Sequence, residues 1–265
     1  MEKRIAIFLG LAFALIVAGI AVGIFRSPPN QDMQGAYFEI VKEDDRTQLN
    51  PSTEYLLTDS GILLSKLRYN GATQEVRIFK VGEIEAKKAL AYVKGNAASQ
   101  FSECTGCLKY HLFYSDSKGT IAYQSPDDAA TDFVRSLPKY ADLLSQNASE
   151  EETFFISLVY SKKGLIRDYH LFDDGTVVYE EFGTNPAMLM RASIYIIGEG
   201  RAKAAIAENF FSSHGENACL REEFDYGYVE AASGSNYDFV FTCGNGESPA
   251  ERTFDALLKL VNEKK

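Results

Sequence analysis

The chain has 265 residues, with 27 Lys and Arg against 37 Asp and Glu, for a formal net charge of −10. So acidic a surface repels phosphate backbones and excludes nucleic acid as a partner, because that affinity rests on neutralising phosphates with basic side chains. Fifteen Tyr and 18 Phe with no Trp suit a β-rich core, and Tyr left at the surface would offer apolar area with a polar tip.

In chain order, the first feature is an uncharged apolar run, IAIFLGLAFALIVAGIAVGIF, from Ile5 to Phe25. At about 1.5 Å per residue a helix of that length reaches about 31 Å, close to the thickness of a hydrocarbon core. Residues 1–26 are therefore expected to be an uncleaved membrane anchor; a cleaved signal peptide would have a shorter apolar region. Lys3 and Arg4 before the run against Arg26 after it predict a single-pass protein with a cytoplasmic N-terminus and an extracytoplasmic body. Residues 27–36, with Ser27-Pro28-Pro29-Asn30, read as a spacer.

Two similar units follow, 37–144 and 153–265, joined by a polar linker at 145–152. Tyr55-Leu56-Leu57-Thr58-Asp59-Ser60-Gly61 corresponds to Tyr169-His170-Leu171-Phe172-Asp173-Asp174-Gly175. Val81-Gly82-Glu83 corresponds to Ile197-Gly198-Glu199, and Ser125-Pro126-Asp127-Asp128 to Ser248-Pro249-Ala250-Glu251. Three landmarks in one order at offsets of about 114 to 123 residues argue for an internal duplication. The Asp-x-Gly segments supply the positive φ of a tight hairpin, and Ser-Pro-x-Asp/Glu reads as a capped helix start. Apolar stripes at Ala86, Ala89, Leu90 and Val93, and at Ala130, Phe133, Val134 and Leu137, predict two helices in the first unit. Ala202, Ala205, Ile206 and Phe210, and Phe254, Leu257, Leu258 and Val261, predict two in the second. Strands alternate around them, as at Leu108, Tyr110, Leu112 and Tyr114 against Lys109, His111 and Phe113. The expected fold class is α+β: an N-terminal transmembrane helix, then two repeated units, each an antiparallel sheet with two helices packed on one face.

This order of strand, Asp-x-Gly, strand, Gly-Glu helix, Cys-bearing loop, hairpin and Ser-Pro helix resembles an uncharacterised prokaryotic family of extracytoplasmic domains, here in tandem over nearly all of residues 37–263. The resemblance implies a small secreted α+β module and brings no catalytic residues with it.

Cys104-Thr105-Gly106-Cys107 is the most reactive-looking motif. Redox-active pairs of this spacing usually open a helix, whose N-terminal field lowers a thiol pKa. Here the pair follows a helix and precedes a strand. Outside the cytoplasm Cys104 with Cys107, and Cys219 with Cys243, read as two structural disulfides. Chain entropy assigns about 3.5 kcal/mol to the 219–243 loop and about 1.9 kcal/mol to the four-residue one. One zinc held by all four would require residues of both units to converge, against the usual two short ligand pairs. Asn147-Ala148-Ser149 is a glycosylation acceptor pattern.

His111 reads as an exposed strand residue, His170 as a sheet-surface residue and His214 as part of a helix exit. Glu43-Asp44-Asp45, Glu150-Glu151-Glu152 and Asp173-Asp174 read as solvated turns without the ligand ladder of a calcium loop. No metalloprotease, nucleophile-elbow or phosphate-loop pattern occurs. The expectation is a protein with no catalytic residues, metal or cofactor, anchored in the membrane through its first helix. It would act as a binding or assembly module for an envelope protein or glycan. The alternative is an envelope thiol-disulfide oxidoreductase using Cys104 and Cys107.

Overall fold

A computed structural model describes residues 34–70, 72–150, 154–162, 165–172, 174–184, 187–210, 226–233, 236–242 and 259–260. Four strands open it as an antiparallel meander: β1 (Tyr37–Asp44), β2 (Pro51–Thr58), β3 (Ile62–Tyr69) and β4 (Ala72–Lys80). Helix α1 (Glu83–Asn96), a short strand β5 (Gln100–Phe101), the hairpin β6 (Leu108–Asp116) and β7 (Gly119–Pro126), helix α2 (Asp132–Gln146) and β8 (Ser149–Glu150) follow. These strands form one sheet in the order β5-β7-β6-β1-β2-β3-β4-β8, antiparallel except for the two-residue β5–β7 pair. A second meander, β9 (Phe154–Lys162), β10 (Leu165–Phe172), β11 (Thr176–Thr184) and β12 (Ala187–Ile196), leads to α3 (Glu199–Phe210). With the hairpin β13 (Tyr226–Ser233) and β14 (Asn236–Thr242) it makes a six-stranded sheet, β12-β11-β10-β9-β13-β14.

The tight turns explain why each meander closes where it does. Gly61 sits at φ +90° and Gly175 at +86°, where a side chain is strained. A Cβ on Gly61 would meet the Val81 carbonyl oxygen, and one on Gly175 would lie 2.6 Å from the Gly198 carbonyl carbon. The close approach has a purpose at both places. Gly61 O accepts from Val81 N at 2.8 Å and Gly175 O from Ile197 N at 2.9 Å, tying each hairpin to the chain just before a helix.

The first sheet is buried on both faces. One face carries Phe38, Ile40, Tyr55, Leu57, Leu63, Tyr110, Leu112 and Tyr114, under Ala86, Ala89, Leu90 and Val93 of α1 and Val134, Leu137 and Ala141 of α2. The Tyr55 hydroxyl also donates to Asp142 of α2. The other face carries Tyr37, Leu56, Ile62, Leu64, Val76 and Ile78, packed against Phe172, Val178, Ala192 and Ile194 of the second sheet. Phe113 and Phe182 meet edge to face across this seam at 5.5 Å. At one margin Gln34 N donates to Ile194 O at 2.8 Å, and Gln34 Oε1 accepts from Ile196 N at 3.2 Å. The chain entering β1 is thereby bonded to the other sheet.

This architecture corrects the expected fold class. Strands dominate, with fourteen strands and three helices described, and the first sheet, under α1 and α2 on one face, packs its other face against the second sheet instead of standing apart from it as a separate unit. The physical reason is visible in Leu56-Leu57 and Ile62-Leu63-Leu64. Consecutive apolar residues line both faces of a doubly covered sheet, whereas strict alternation marks a sheet covered on one. The expected N-terminal membrane helix and the single-pass location read from it are not found in the structure: among the described residues no helix is long and apolar enough to cross a membrane. The run from Ile5 to Phe25 lies outside the described residues, as do Phe254, Leu257, Leu258 and Val261.

The expected helix start at Ser125-Pro126 is displaced as well. Both residues end β7, where Pro126 pairs with Lys109, and Asp127 N donates to Leu108 O at 2.8 Å. Helix α2 begins at Asp132, capped by Thr131, whose hydroxyl accepts from Val134 N at 3.3 Å. The 145–152 segment contributes the end of α2 and then β8, which pairs Ser149 and Glu150 with Lys80 and Phe79 of β4.

Candidate functional site

Charged side chains interrupt the apolar seam at its centre. Strand register puts Tyr37 and Glu39 of β1, Glu54 of β2 and Lys66 of β3 on the face turned toward the second sheet, with Glu54 directly opposite Lys66. Asp168 and His170 of β10 and Glu180 of β11 face them, with Asp168 directly opposite Glu180. Glu39, Glu54, Lys66, His170 and Glu180 are all buried, Lys66 at 0% and Glu180 at 1% exposure.

Two subclusters divide the charge. In the first, Lys66 Nζ lies 3.1 Å from Glu54 Oε1, and Arg68 Nη1 3.2 Å from Glu54 Oε2. Burial raises the Glu54 pKa, but Arg68 and Lys66 outweigh it and hold the carboxyl down at about 2. In the second, the Tyr37 hydroxyl donates to Glu180 Oε1 at 2.6 Å. Burial lifts Glu180 to about 8 against the lowering effect of the Tyr37 hydrogen bond. Glu39, buried in the same seam, is pushed well above the carboxylate range, by burial first and by Glu180 second. Two carboxyls in one buried site cannot both ionise at ordinary cost, so this pair holds a proton at neutral pH. His170 Nε2 lies 3.6 Å from Asp168 Oδ2, and burial pulls its pKa below the usual value despite that neighbour.

A second ionic cluster sits on the same face of the first sheet, beyond the seam centre. Lys109 Nζ lies 2.7 Å from Asp45 and 3.2 Å from Glu43, and His111 Nε2 lies 3.5 Å from Glu43. The approach of His111 contributes most to holding Glu43 at about 2, with Lys109 adding to it. His111 is thus half-buried and paired instead of exposed, and Glu43 and Asp45 are ion-pair partners more than solvated turn residues. Asp44 does remain at the surface side, pairing with Arg46 at 2.7 Å. Asp174 caps its own turn, with Oδ1 accepting from Thr176 N at 2.8 Å. His170 is buried in the seam, not on a sheet surface, while His214 lies outside the described residues.

Cys104 and Cys107 are joined in a disulfide, with Cα atoms 6.2 Å apart and Gly106 between them at φ +68°. The loop joins β5 to β6, and Cys107 O accepts from Asp45 N at 3.0 Å, so the bridge borders the Lys109 cluster. Cys219 and Cys243 lie outside the described residues. Asn147 is exposed at the C-terminal cap of α2, where its Nδ2 donates to Leu143 O at 2.8 Å. Among the described residues no group of three or more His, Cys, Asp or Glu is placed to hold a metal ion.

The helix layer carries a different feature. Tyr92 of α1 meets Phe133 of α2 edge-on and Tyr140 at a tilt, at 5.4 and 5.8 Å between ring centroids, yet is 48% exposed. Ile84 at 66% and Leu143 at 46% stand exposed on the same two helices.

Sequence reasoning did not single out Glu39, Glu54, Lys66, Arg68, Asp168 or Glu180. A signal was there. Lys66 is in phase with the buried Ile62 and Leu64, and the spacing that aligns Tyr55 with Tyr169 also aligns Glu54 with Asp168 and Lys66 with Glu180. A charged residue in phase with a buried face, matched by one in the corresponding strand, marks a polar seam. No protein-family model matches the chain, and no curated protein matches it significantly. The family resemblance therefore stays an expectation.

Proposed function

We propose that the protein is a non-enzymatic binding or assembly module that docks a protein partner on the α1–α2 layer. The observation that carries this reading is the aromatic cluster of Tyr92, Phe133 and Tyr140, with Ile84 and Leu143 also exposed on the same two helices. Large aromatic residues presented on rigid helices are the usual anchors of protein interfaces. The buried ionic groups support the same reading, since they are committed to one another between the sheets.

The test is photo-crosslinking from position 92 in the full chain, repeated with Ile84→Ser and Leu143→Ser. The expected result is one protein partner captured by the parent and lost with either variant at unchanged thermal stability. Capture unaffected by both variants, or capture of glycan alone, would contradict the proposal.

A thiol-disulfide oxidoreductase is the second reading, favoured by the placement of the Cys104–Cys107 bridge on a loop turn. Exchange by such an enzyme would pass two electrons between a dithiol partner and the bridge through a mixed disulfide. Catalytic turnover of a dithiol substrate that disappears in Cys104→Ser would favour it over the binding module.

A further inference from the structure

We propose that the Cys104–Cys107 bridge is a reversible modification site for a small, positively charged aminothiol, which adds to Cys104 and releases Cys107 while the rest of the fold stays as it is. The inference goes beyond both readings above, since it needs neither a partner on the helix layer nor turnover of a substrate. It starts from how the loop is tied down. On one side Ser102 N donates to Gln124 O at 2.9 Å. On the other, Asp45 N donates to Cys107 O at 3.0 Å and Asp127 N to Leu108 O at 2.8 Å, and Leu108 is already paired with Asp44 of β1. Both ends of the loop are therefore fixed by backbone bonds that do not involve the sulfurs. The bridge closes off residues 103–106 alone, of which Glu103, Thr105 and Gly106 are exposed. A disulfide stabilises a fold most by closing a long loop, and this one closes a very short stretch between ends that are already held. Opening it leaves all of those backbone bonds in place.

The aminothiol reacts as its thiolate. It attacks Cys104 Sγ, the bond to Cys107 Sγ breaks, and Cys107 leaves as a thiolate that takes a proton from water. The aminothiol is thereby oxidised into a mixed disulfide and Cys107 is reduced. Return attack by Cys107 restores the bridge and releases the aminothiol, so no outside oxidant is required. Room selects the sulfur. Cys107 is pinned through its carbonyl against the turn after β1, where an adduct would press on Asp45. Cys104 lies between exposed Glu103 and Thr105, where an adduct stands in solvent. Charge selects the thiol. Glu103 adjoins Cys104, and the Lys109 ammonium beside the loop is shared between Asp45 at 2.7 Å and Glu43 at 3.2 Å. With the whole chain at −10, a cationic thiol is drawn to the loop and an anionic one is repelled.

The experiment exposes the full-length chain to cysteamine or to glutathione at equal thiolate concentration, quenches samples with iodoacetamide and maps the peptides. Far-UV circular dichroism is recorded on the same samples and on the Cys104→Ser, Cys107→Ser double variant. The proposal predicts cysteamine on Cys104 with the alkyl group on Cys107, in several-fold excess over the reverse arrangement. Cysteamine should open the bridge several-fold faster than glutathione, and the gap should close in about 1 M salt. The sheet signal should survive both the opening and the double substitution, with a cooperative melt retained. A bridge that opens only as the sheet signal is lost overturns the proposal, as does a double variant that does not fold. So does an adduct found chiefly on Cys107, or equal rates for the two thiols at low salt.

Discussion

Removing Lys66 tests the ionic half of the seam most sharply. Its ammonium is fully buried 3.1 Å from Glu54, which is itself 5% exposed at its side chain. Lys66→Met keeps the stem and deletes the charge, leaving a buried carboxylate with Arg68 as its remaining ion-pair partner at 3.2 Å. Breaking a buried pair from one side costs about 3 to 5 kcal/mol, because the partner keeps its desolvation penalty. Arg68 retains part of the compensation, so the lower end, about 3 kcal/mol, applies. Adding Glu54→Gln removes the stranded charge, and the double variant should recover about 2 kcal/mol relative to the sum of the singles. Urea denaturation at neutral pH on the four members of this cycle measures the coupling. A loss under about 1 kcal/mol for Lys66→Met, or strict additivity in the double variant, would refute the reasoning.

Other expectations follow from the same geometry. Gly61→Ala should destabilise by about 2 kcal/mol or more, since it adds a Cβ at φ +90° against the Val81 carbonyl, while Gly95→Ala, with nothing near its Cβ, should be neutral or stabilising by up to about 1 kcal/mol. Thermal melting separates the two. Thr131→Ala removes the cap of α2 and should cost about 1 kcal/mol, recovered by Thr131→Ser or Thr131→Asp. The pH dependence has two signs. Glu43 and Glu54, held at about 2, contribute stability that is complete above about 4.5 and is lost as pH falls through about 2. Glu180, raised to about 8, contributes stability that is complete below about 4.5 and is lost as pH rises through about 8, and Glu39, raised by burial, acts with the same sign. His170, lowered from 6.5, opposes them on the acid side, so between about 6.5 and about 8 the decline should stand alone, with Glu180 by itself giving up to about 1.4 kcal/mol per pH unit. Denaturation midpoints across that window check it.

Elements whose local signals agree with their packing were legible in the sequence. The stripe of Ala86, Ala89, Leu90 and Val93 is the buried face of α1, and the alternation from Leu108 to Tyr114 is the β6 strand. The Cys104–Cys107 bridge was legible because a four-residue spacing suffices to close it. The start of α2 was not, since Ser125-Pro126 suits a strand end as well as a helix cap, and pairing with Lys109 decides between them. The seam was least legible, because which face meets the second sheet is a tertiary fact. Lys66 and Glu180 look like solvent-facing residues until both faces of their strands are known to be covered. The clue lay in their phase with Leu64 and Val178, which sequence periodicity alone does not rank above ordinary amphipathic alternation.

The carboxyl carbons of the glutamates, followed by NMR in the full-length chain with selectively labelled glutamate, test the central claim that the two sheets meet over a protonated carboxyl pair. The account predicts one resonance that titrates near pH 8 and vanishes in Glu180→Gln, alongside two held at about 2, one of which vanishes in Glu54→Gln. A spectrum in which every glutamate titrates between about 4 and about 5 would contradict it.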